Sequence, residues 1–289
     1  MKVTGFSFIR NALVYDYPIV EAIKSILPIC DDFIVAVGQS QDKTLDLIQN
    51  IDKNKIKIVE TVWDDSLRQG GQVLALETNK AFEAVPNDSD WAFYIQGDEV
   101  IHEKYLPVIS SAMKKYKDHK EVDGLLFKYL HFYGSYDYIG ASPRWYNHEI
   151  RVIRNDKSIY SYRDAQGFRK GDNNKLKVKE IEAYVYHYGW VKKPEFMQKK
   201  REDFNKMWHS DEWIEKNIEN VTEFDYSGVD LLSLFKEEHP QVMIDRINSI
   251  NWKFDHDISI NRLSFKNKLK LFLQKFFGIR IGYKNYIRV

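Results

Sequence analysis

Through the first ~120 residues, short apolar runs rich in β-branched and aromatic residues alternate with segments whose apolar positions recur every three to four residues. Val3–Ile9 is the first run, and Arg10 and Asn11 end it. Asp16, Tyr17 and Pro18 then open a helix that carries Ile19, Val20, Ile23, Ile26 and Leu27 on one face. Proline is tolerated in a first helical turn, where its missing N–H has no partner to lose. Residues 33–37 are apolar throughout, as expected of a strand buried on both faces. A turn at 38–42, a helix at 44–51, a strand at 55–60 and a helix at 71–85 follow, the last stopped by Pro86 and Asn87. A strand at 91–95 precedes a helix marked by Leu106, Ile109, Met113 and Tyr116.

This alternation predicts an α/β fold, a mostly parallel sheet flanked by helices and joined by right-handed crossovers. Ligands of such sheets sit beyond the carboxyl ends of the strands. That rule groups Arg10 and Asn11, the turn at 38–42, the loop at 63–71 and the residues at 96–99. The second half is less regular. Strands are expected at 123–132, 149–154 and 181–188, with an aromatic, Gly/Ser-rich loop at 133–146 and a mixed segment at 160–169. A helix at 196–208 presents Phe196, Met197, the stem of Lys200, Phe204 and Trp208 on one face. Beyond Ser210 the chain is polar and reads as helical in pieces. Residues 1–210 are expected to hold the sheet, with a nucleotide-binding half at 1–100 and an acceptor half at 101–210. Residues 211–289 are expected to form a helical extension, with no linker that would make it independent.

Composition narrows the function classes. With 289 residues, 44% of them hydrophobic, the chain has material for a sizeable core. Its net charge of +1 offers no field to draw nucleic acid. Residues 262–289, however, carry eight Lys/Arg and no Asp/Glu, so a mildly acidic body ends in a basic tail. In that tail Phe265, Leu269, Phe272, Leu273 and Phe276 recur at helical spacing among Lys266, Lys268, Lys270 and Lys275. Such a basic amphipathic helix suits an anionic membrane surface, or else docks on the body. The single cysteine, Cys30, lies in an apolar stretch and reads as a buried small hydrophobe. The N-terminal residues lack the pattern of a secretion signal, which predicts a cytoplasmic protein, peripheral on the inner face of the cell membrane.

The segment WAFYIQGDEV at 91–100 carries the clearest chemistry. An apolar strand runs directly into Asp98 and Glu99, which as oxygen donors suit Mg²⁺ or Mn²⁺ bridging to substrate phosphates, or else cap the next helix. Arg68, Gly70 and Gly71 form a loop in which backbone and guanidinium can approach a phosphate, or simply a turn. Asp164, in YRDAQGFR at 162–169, is a candidate general base or a salt-bridge partner of Arg163 or Arg169; Glu149 is the runner-up. His187 sits among aromatics in YHYGW at 186–190, as a metal ligand or a core histidine. The tyrosines and Trp145 of 133–146 suit stacking on sugar rings, or core packing.

The opening VTGFSFIRNALVYDYPIVEAIKSILPICDDFIVAVGQSQDKT, followed by QGDE at 96–99, resembles family-2-type glycosyltransferases of the GT-A fold over roughly 3–208. In the turn after the second strand Ser40, Asp42 and Thr44 keep the family pattern, while Gln39 replaces its first acid. Gln96 likewise replaces the first aspartate of the D-x-D metal motif. The resemblance implies transfer of a sugar, with inversion, from a nucleoside-diphosphate sugar to a saccharide or lipid-linked acceptor, as in bacterial polysaccharide or lipopolysaccharide biosynthesis. It implies a divalent cation, Mn²⁺ or Mg²⁺, held by Asp98, Glu99 and His187. Arg10, Asn11, Gln39, Asp42, Arg68 and Gln96 would contact the donor, and Asp164 would serve as base. The two glutamines also admit an inactive saccharide- or nucleotide-binding relative. A nucleotidyltransferase-like α/β enzyme is the other alternative, against which stands the lack of a Gly-rich phosphate loop of the P-loop or dinucleotide type.

Overall fold

Alternation of side chains along buried strands decides the layering. The computed structural model describes residues 1–218 and 221–289. Strand β1 (Val3–Ile9) leads to helix α1 (Ile19–Ile26), β2 (Asp32–Gly38), α2 (Thr44–Gln49), β3 (Ile56–Thr61), α3 (Gln72–Glu83) and β4 (Trp91–Tyr94). Phe33, Val35 and Val37 of β2 face one way, onto α1 and Ile48 of α2; Ile34 and Ala36 face the other, onto α3. Trp91 and Phe93 of β4 divide from Ala92 and Tyr94 in the same manner. Both faces of the sheet are thus covered, which is why these strands are apolar throughout.

The chain continues through β5 (Glu99–Ile101), α4 (Leu106–Tyr116), β6 (Gly124–Tyr133), β7 (Ser135–Gly140), β8 (His148–Arg154), β9 (Ile159–Tyr162), β10 (Gly167–Lys170) and β11 (Asn174–Trp190). Helices α5 (Pro194–Lys206) and α6 (Asp211–Asn217), strand β12 (Leu232–Leu234), helices α7 (Ile244–Asn248) and α8 (Phe265–Phe277), and strand β13 (Tyr286–Arg288) complete it. The sheet runs β3-β2-β1-β4-β8-β6-β11-β10-β9. From β3 to β11 every strand points the same way except β8, which is antiparallel to β4 and β6. The fold is therefore the α/β arrangement expected, a mostly parallel sheet flanked by helices.

Three expectations need correction. Residues 135–140 of the expected aromatic loop are strand β7, which turns back on β6 through Gly134. The mixed segment at 160–169 is the hairpin β9–β10. In the tail, β12 pairs with β7 and β13 with β11, so the extension is not helical throughout. It also packs into the body: Tyr226, Leu232, Met243 and Tyr286 are buried in clusters with residues of the sheet.

Strand β11 gathers the site. Its register sets His187 beside Glu99 of β5 on one edge and beside His131 of β6 on the other. The N–H of Tyr188 donates to the carbonyl of Asp98 at 2.8 Å. His187 and Asp98, far apart in sequence, are therefore neighbours by strand pairing.

Candidate functional site

The loops after β1, β2, β3 and β4 open on two adjoining clefts at the carboxyl end of the sheet. The smaller, about 660 Å³, is lined by Arg10, Asn11, Gln39, Ser40, Trp63 and Arg68, among others. The larger, about 870 Å³, is lined by Gln96, Asp98, Asp164, His187, Trp190 and Lys200, among others. Arg10, Tyr15, Trp63 and Asp203 border both. Asp203 lies on α5 and accepts from the hydroxyl of Tyr15 at 2.8 Å, so α5 is tied across the boundary.

The smaller cleft has a rigid rim. Asn11 takes a left-handed conformation (φ 55°), which asparagine adopts more readily than most residues. Its Oδ1 accepts the N–H of Gln41 at 2.8 Å, and its own N–H donates to Ser40 Oγ at 3.0 Å. Asp42 accepts from the N–H groups of Leu13 and Val14 at 2.9 Å and from Thr44. Burial opposes its charge, but these hydrogen bonds from Thr44, Val14 and Leu13 prevail and hold the carboxyl below its ordinary range. Asp42 thus staples the first loop to the second and lines neither cleft, contrary to its expected place at the donor. Arg10 lies over the Trp63 ring at 4.4 Å and pairs with Asp65 at 2.8 Å. Arg68 pairs with Asp211 at 2.7 Å and donates to the carbonyl of Lys206, which fixes the loop to the end of α5.

At the larger cleft Asp98 is almost fully buried and faces cations. Lys200 of α5 lies 3.2 Å from its Oδ2, and His187 Nε2 lies 3.8 Å from its Oδ1. Burial opposes ionisation of Asp98, but Lys200, His187 and Lys192 outweigh it and drive the carboxyl well below its ordinary value. Lys192 is fully buried, donates to the carbonyl of Asp16 at 2.7 Å and is pushed down to about 7, chiefly by desolvation. Both lysines lie against the ring of Tyr17, at 4.5 and 4.9 Å. A side chain at Gly189 would meet Asp98 Oδ2 and the His187 ring at 2.7 Å, so glycine keeps this corner open.

His187 is set by a second histidine. His131 Nε2 lies 2.6 Å from the carbonyl of Tyr146, so this nitrogen carries the proton. His131 Nδ1 is then an acceptor, and His187 Nδ1–H donates to it across 3.1 Å. His187 Nε2 then faces Asp98 Oδ1. Burial pushes both imidazoles below their ordinary pKa, and Asp98 opposes the shift at His187.

Asp164 occupies the turn between β9 and β10, between Arg163 (φ 57°) and Ala165 (φ 61°). Left-handed backbone at a non-glycine residue such as alanine is uncommon and costs of order 1 kcal/mol, and strain of this kind gathers at functional sites. Gly71, itself left-handed, packs against this turn; a Cβ there would come within 2.8 Å of Asp164 and Trp208. Gln96 Nε2 donates to the carbonyl of Ala165 at 3.2 Å, linking the end of β4 to the turn. Burial raises the Asp164 carboxyl above its ordinary value. Of the aromatic residues at 133–146, Tyr133 and Tyr146 line the larger cleft, and Tyr136 and Tyr138 pack in the core. Trp190 is 37% exposed, stacked on Tyr133.

Glu99 does not face the cleft. It is fully buried and receives both Nε and Nη2 of Arg151 at 2.7 Å, together with the Tyr129 hydroxyl at 2.7 Å. Glu149 is buried against β10, where a Cβ at Gly167 would stand 3.2 Å from its Oε2. Glu149 lines neither cleft, and its Oε2 has no hydrogen-bond partner among the described residues. Burial pushes this carboxyl up to about 8, with Glu99 and Asp164 adding to the rise and Arg151 opposing it. The folded state therefore holds a proton here that the unfolded chain releases near pH 4.5. That contribution to stability is complete below pH 4.5 and is lost as pH rises to about 8. Urea unfolding between pH 5 and 8 should show the wild type losing stability on the order of a few kcal/mol, with the loss much reduced in Glu149→Gln. Parallel profiles for the two proteins would contradict this.

A divalent ion does not fit the donors present. Of the QGDE positions, Gln96 is neutral, Glu99 is consumed by Arg151, and Asp98 already bears Lys200. His187 Nε2 is a single further donor, and among the described residues no three His, Cys, Asp or Glu side chains group to hold an ion. Mg²⁺ and Mn²⁺ favour several oxygen ligands, carboxylates first among protein groups.

Sequence reasoning missed Lys200, Lys192, His131 and Arg151. The signal for Lys200 was its place on the apolar face of α5, between Met197 and Phe204. A lysine amid such a face is stranded unless a carboxylate waits opposite.

No family model matches the chain, and no curated protein matches it. Among solved structures, residues 1–349 of S. aureus TarS align at a TM-score of 0.42 with 15% identity, over 72% of this chain and 63% of that one. The chain thus spans less than two thirds of that structure. The 4-diphosphocytidyl-2C-methyl-D-erythritol synthase of Anaerococcus prevotii aligns at 0.37 with 13% identity, over 66% of this chain and 89% of that one. Glucosyl-3-phosphoglycerate synthase from Mycobacterium tuberculosis, in complex with Mn²⁺, UDP and phosphoglyceric acid, aligns at 0.30 with 18% identity, over 45% and 43%.

Proposed function

We propose that the chain is a glycosyltransferase that takes a sugar from a nucleoside-diphosphate donor and passes it to a saccharide or lipid-linked acceptor. The observation that carries this reading is the convergence of four strand-ending loops on two adjoining clefts, one polar and one bearing Asp98, Asp164 and Lys200. The nucleoside occupies the smaller cleft, against Arg10, Gln39 and Trp63. The diphosphate lies near the shared border, and the sugar and acceptor lie in the larger cleft beside Trp190. Asp164 removes the acceptor's proton as the acceptor oxygen attacks the anomeric carbon, and the bond from that carbon to the diphosphate breaks on the opposite side, with inversion. Its raised pKa suits a base that must also release the proton afterwards.

The test is the product. Incubation with a panel of nucleotide sugars and oligosaccharide or lipid-linked acceptors should release a nucleoside diphosphate. Release of pyrophosphate instead would place the chain among nucleotidyltransferases, and donor binding with no turnover on any acceptor would mark a binding protein. Asp164→Asn should lower kcat by about 10²–10⁴-fold with little change in donor KM. A variant within a few-fold of wild type would remove Asp164 from the mechanism.

Helix α8 supports a membrane-surface setting for this reaction. It is capped by Ser264 and Gly278, and no residue in it is buried. Phe265, Leu269, Phe272 and Phe276 are about half exposed or more, among lysines and with no acid from 262 to 289. This face docks on an anionic bilayer, where a lipid-linked acceptor would be found. Deleting the tail would also remove β13 and the buried Tyr286, so substitution is the cleaner probe. Phe272→Glu with Phe276→Glu should weaken sedimentation with phosphatidylglycerol vesicles roughly tenfold or more, since burying each phenylalanine contributes about 1.5–3 kcal/mol. Unchanged sedimentation would end the membrane assignment.

A further inference from the structure

We propose that the ammonium of Lys200, anchored on Asp98 at the end of β4, is the fixed cation that receives the donor's diphosphate and stabilises its departure. This rests on the donor-binding reading above and deepens it. The D-x-D position is where a metal-using enzyme of this fold gathers carboxylates. In this chain the same position presents one cleft-facing carboxylate, already paired with Lys200, and a second lysine close by. Lys200 is 3.2 Å from Asp98 Oδ2 and 3.2 Å from the carbonyl of Gly189. Its side chain lines the larger cleft and is 15% exposed. Lys192, fully buried, lies against the same Tyr17 ring.

Helix geometry makes the placement deliberate. Met197, Lys200 and Phe204 recur at three- and four-residue spacing, so Lys200 belongs to the inward face of α5. A lysine there loses hydration, and only an anion restores the balance. Asp98 balances the Lys200 ammonium, and Lys192, pushed down to about 7, adds positive charge as pH falls below neutral. A diphosphate brings the charge that complements the Lys200 ammonium, whereas a divalent cation would have to displace that ammonium from Asp98. In the transfer step the acceptor oxygen bonds to the anomeric carbon and its proton passes to Asp164. The electron pair of the broken carbon–oxygen bond leaves on the diphosphate, where the Lys200 ammonium balances it. No further reactant is required.

The experiment measures thermal unfolding of the full chain with UDP, GDP, ADP and dTDP, each in EDTA and again with Mn²⁺, alongside electron paramagnetic resonance of Mn²⁺ mixed with the protein. The expected result is that whichever diphosphate stabilises the protein does so equally in EDTA and in Mn²⁺, while Mn²⁺ alone stays free in solution. Lys200→Met should bind that diphosphate about tenfold or more weakly, and Lys200→Arg should retain most of the affinity. Should Lys200→Met fail to fold, the Arg variant and the EDTA comparison still decide. Stabilisation that appears only with Mn²⁺, or Mn²⁺ bound by the wild type and released by Asp98→Asn, would overturn the inference. Absence of stabilisation by every diphosphate under both conditions would instead overturn the donor reading on which it rests.

Discussion

Asp98→Asn is expected to cut turnover by about 100-fold or more and to destabilise the fold by about 3 kcal/mol. The substitution keeps the shape of the side chain and removes its charge. Lys200 then loses its anionic partner at 3.2 Å, and Lys192, fully buried, loses the nearby charge that favours its protonated form. Breaking a buried pair from one side is costly because the remaining charge stays desolvated. The lower end of the known range applies because part of Lys200 reaches solvent. Catalysis falls because Asp98 positions the ammonium; its own contact with the substrate is not required. Acid should act in the same direction. The folded-state pKa of Asp98 is depressed, so its contribution is present above the ordinary carboxylate pKa and is lost as pH falls toward the folded value. The wild type should therefore lose more stability than Asp98→Asn on acidification below about pH 4. Urea midpoints and steady-state rates check both parts. Wild-type turnover in the variant would contradict the assignment.

Arg151→Met should produce the largest loss of stability, about 3–5 kcal/mol at pH 7. Arg151 and Glu99 are 1% and 0% exposed and share two hydrogen bonds of 2.7 Å. The guanidinium also lies 5.2 and 5.3 Å from the rings of Tyr94 and Tyr129. Methionine fills much of the space but leaves the Glu99 carboxylate buried with, among the described residues, only Tyr129 and a weak backbone donor, the N–H of Gln96. Domains of this size are stable by only about 5–15 kcal/mol, so this single change consumes a large share. Adding Glu99→Leu should recover most of it, since a buried pair replaced by apolar groups is often neutral or better. The measurement is urea unfolding of the two single variants and the double. A loss under about 1 kcal/mol for Arg151→Met would mean that the pair is solvated in solution.

The two predictions separate what was legible in the sequence from what was not. Apart from the short strand β5, the alternation of strands and helices through α4 was plain, because strands buried on both faces are apolar without interruption and the helices carry one apolar stripe. The loops beyond those strands followed from order alone, and the structure brings Arg10, Gln39, Gln96 and Asp98 to adjoining clefts. Strand β7 was hidden because its tyrosines read equally well as a sugar-stacking loop. Strands β12 and β13 have three residues each, too short for a periodicity to show. At the site, QGDE read as a cluster of acids, yet adjacent residues at a strand end point in different directions. Asp98 turns to the cleft and Glu99 turns into the core. Only tertiary contacts distinguish them, because Arg151 and Lys200, the cations that claim them, lie 52 and 102 positions away.

In the proposed reaction the strand-ending loops and α5 together grip a phosphorylated sugar donor. Amide hydrogen exchange of the wild-type protein, with and without millimolar UDP-glucose, GDP-mannose, ADP-glucose or dTDP-glucose, tests it most directly. At least one of these should slow exchange at residues 9–11, 38–41 and 96–98 and along Pro194–Lys206. Unchanged exchange in all of those segments with every donor, or protection confined to other parts of the chain, would contradict it.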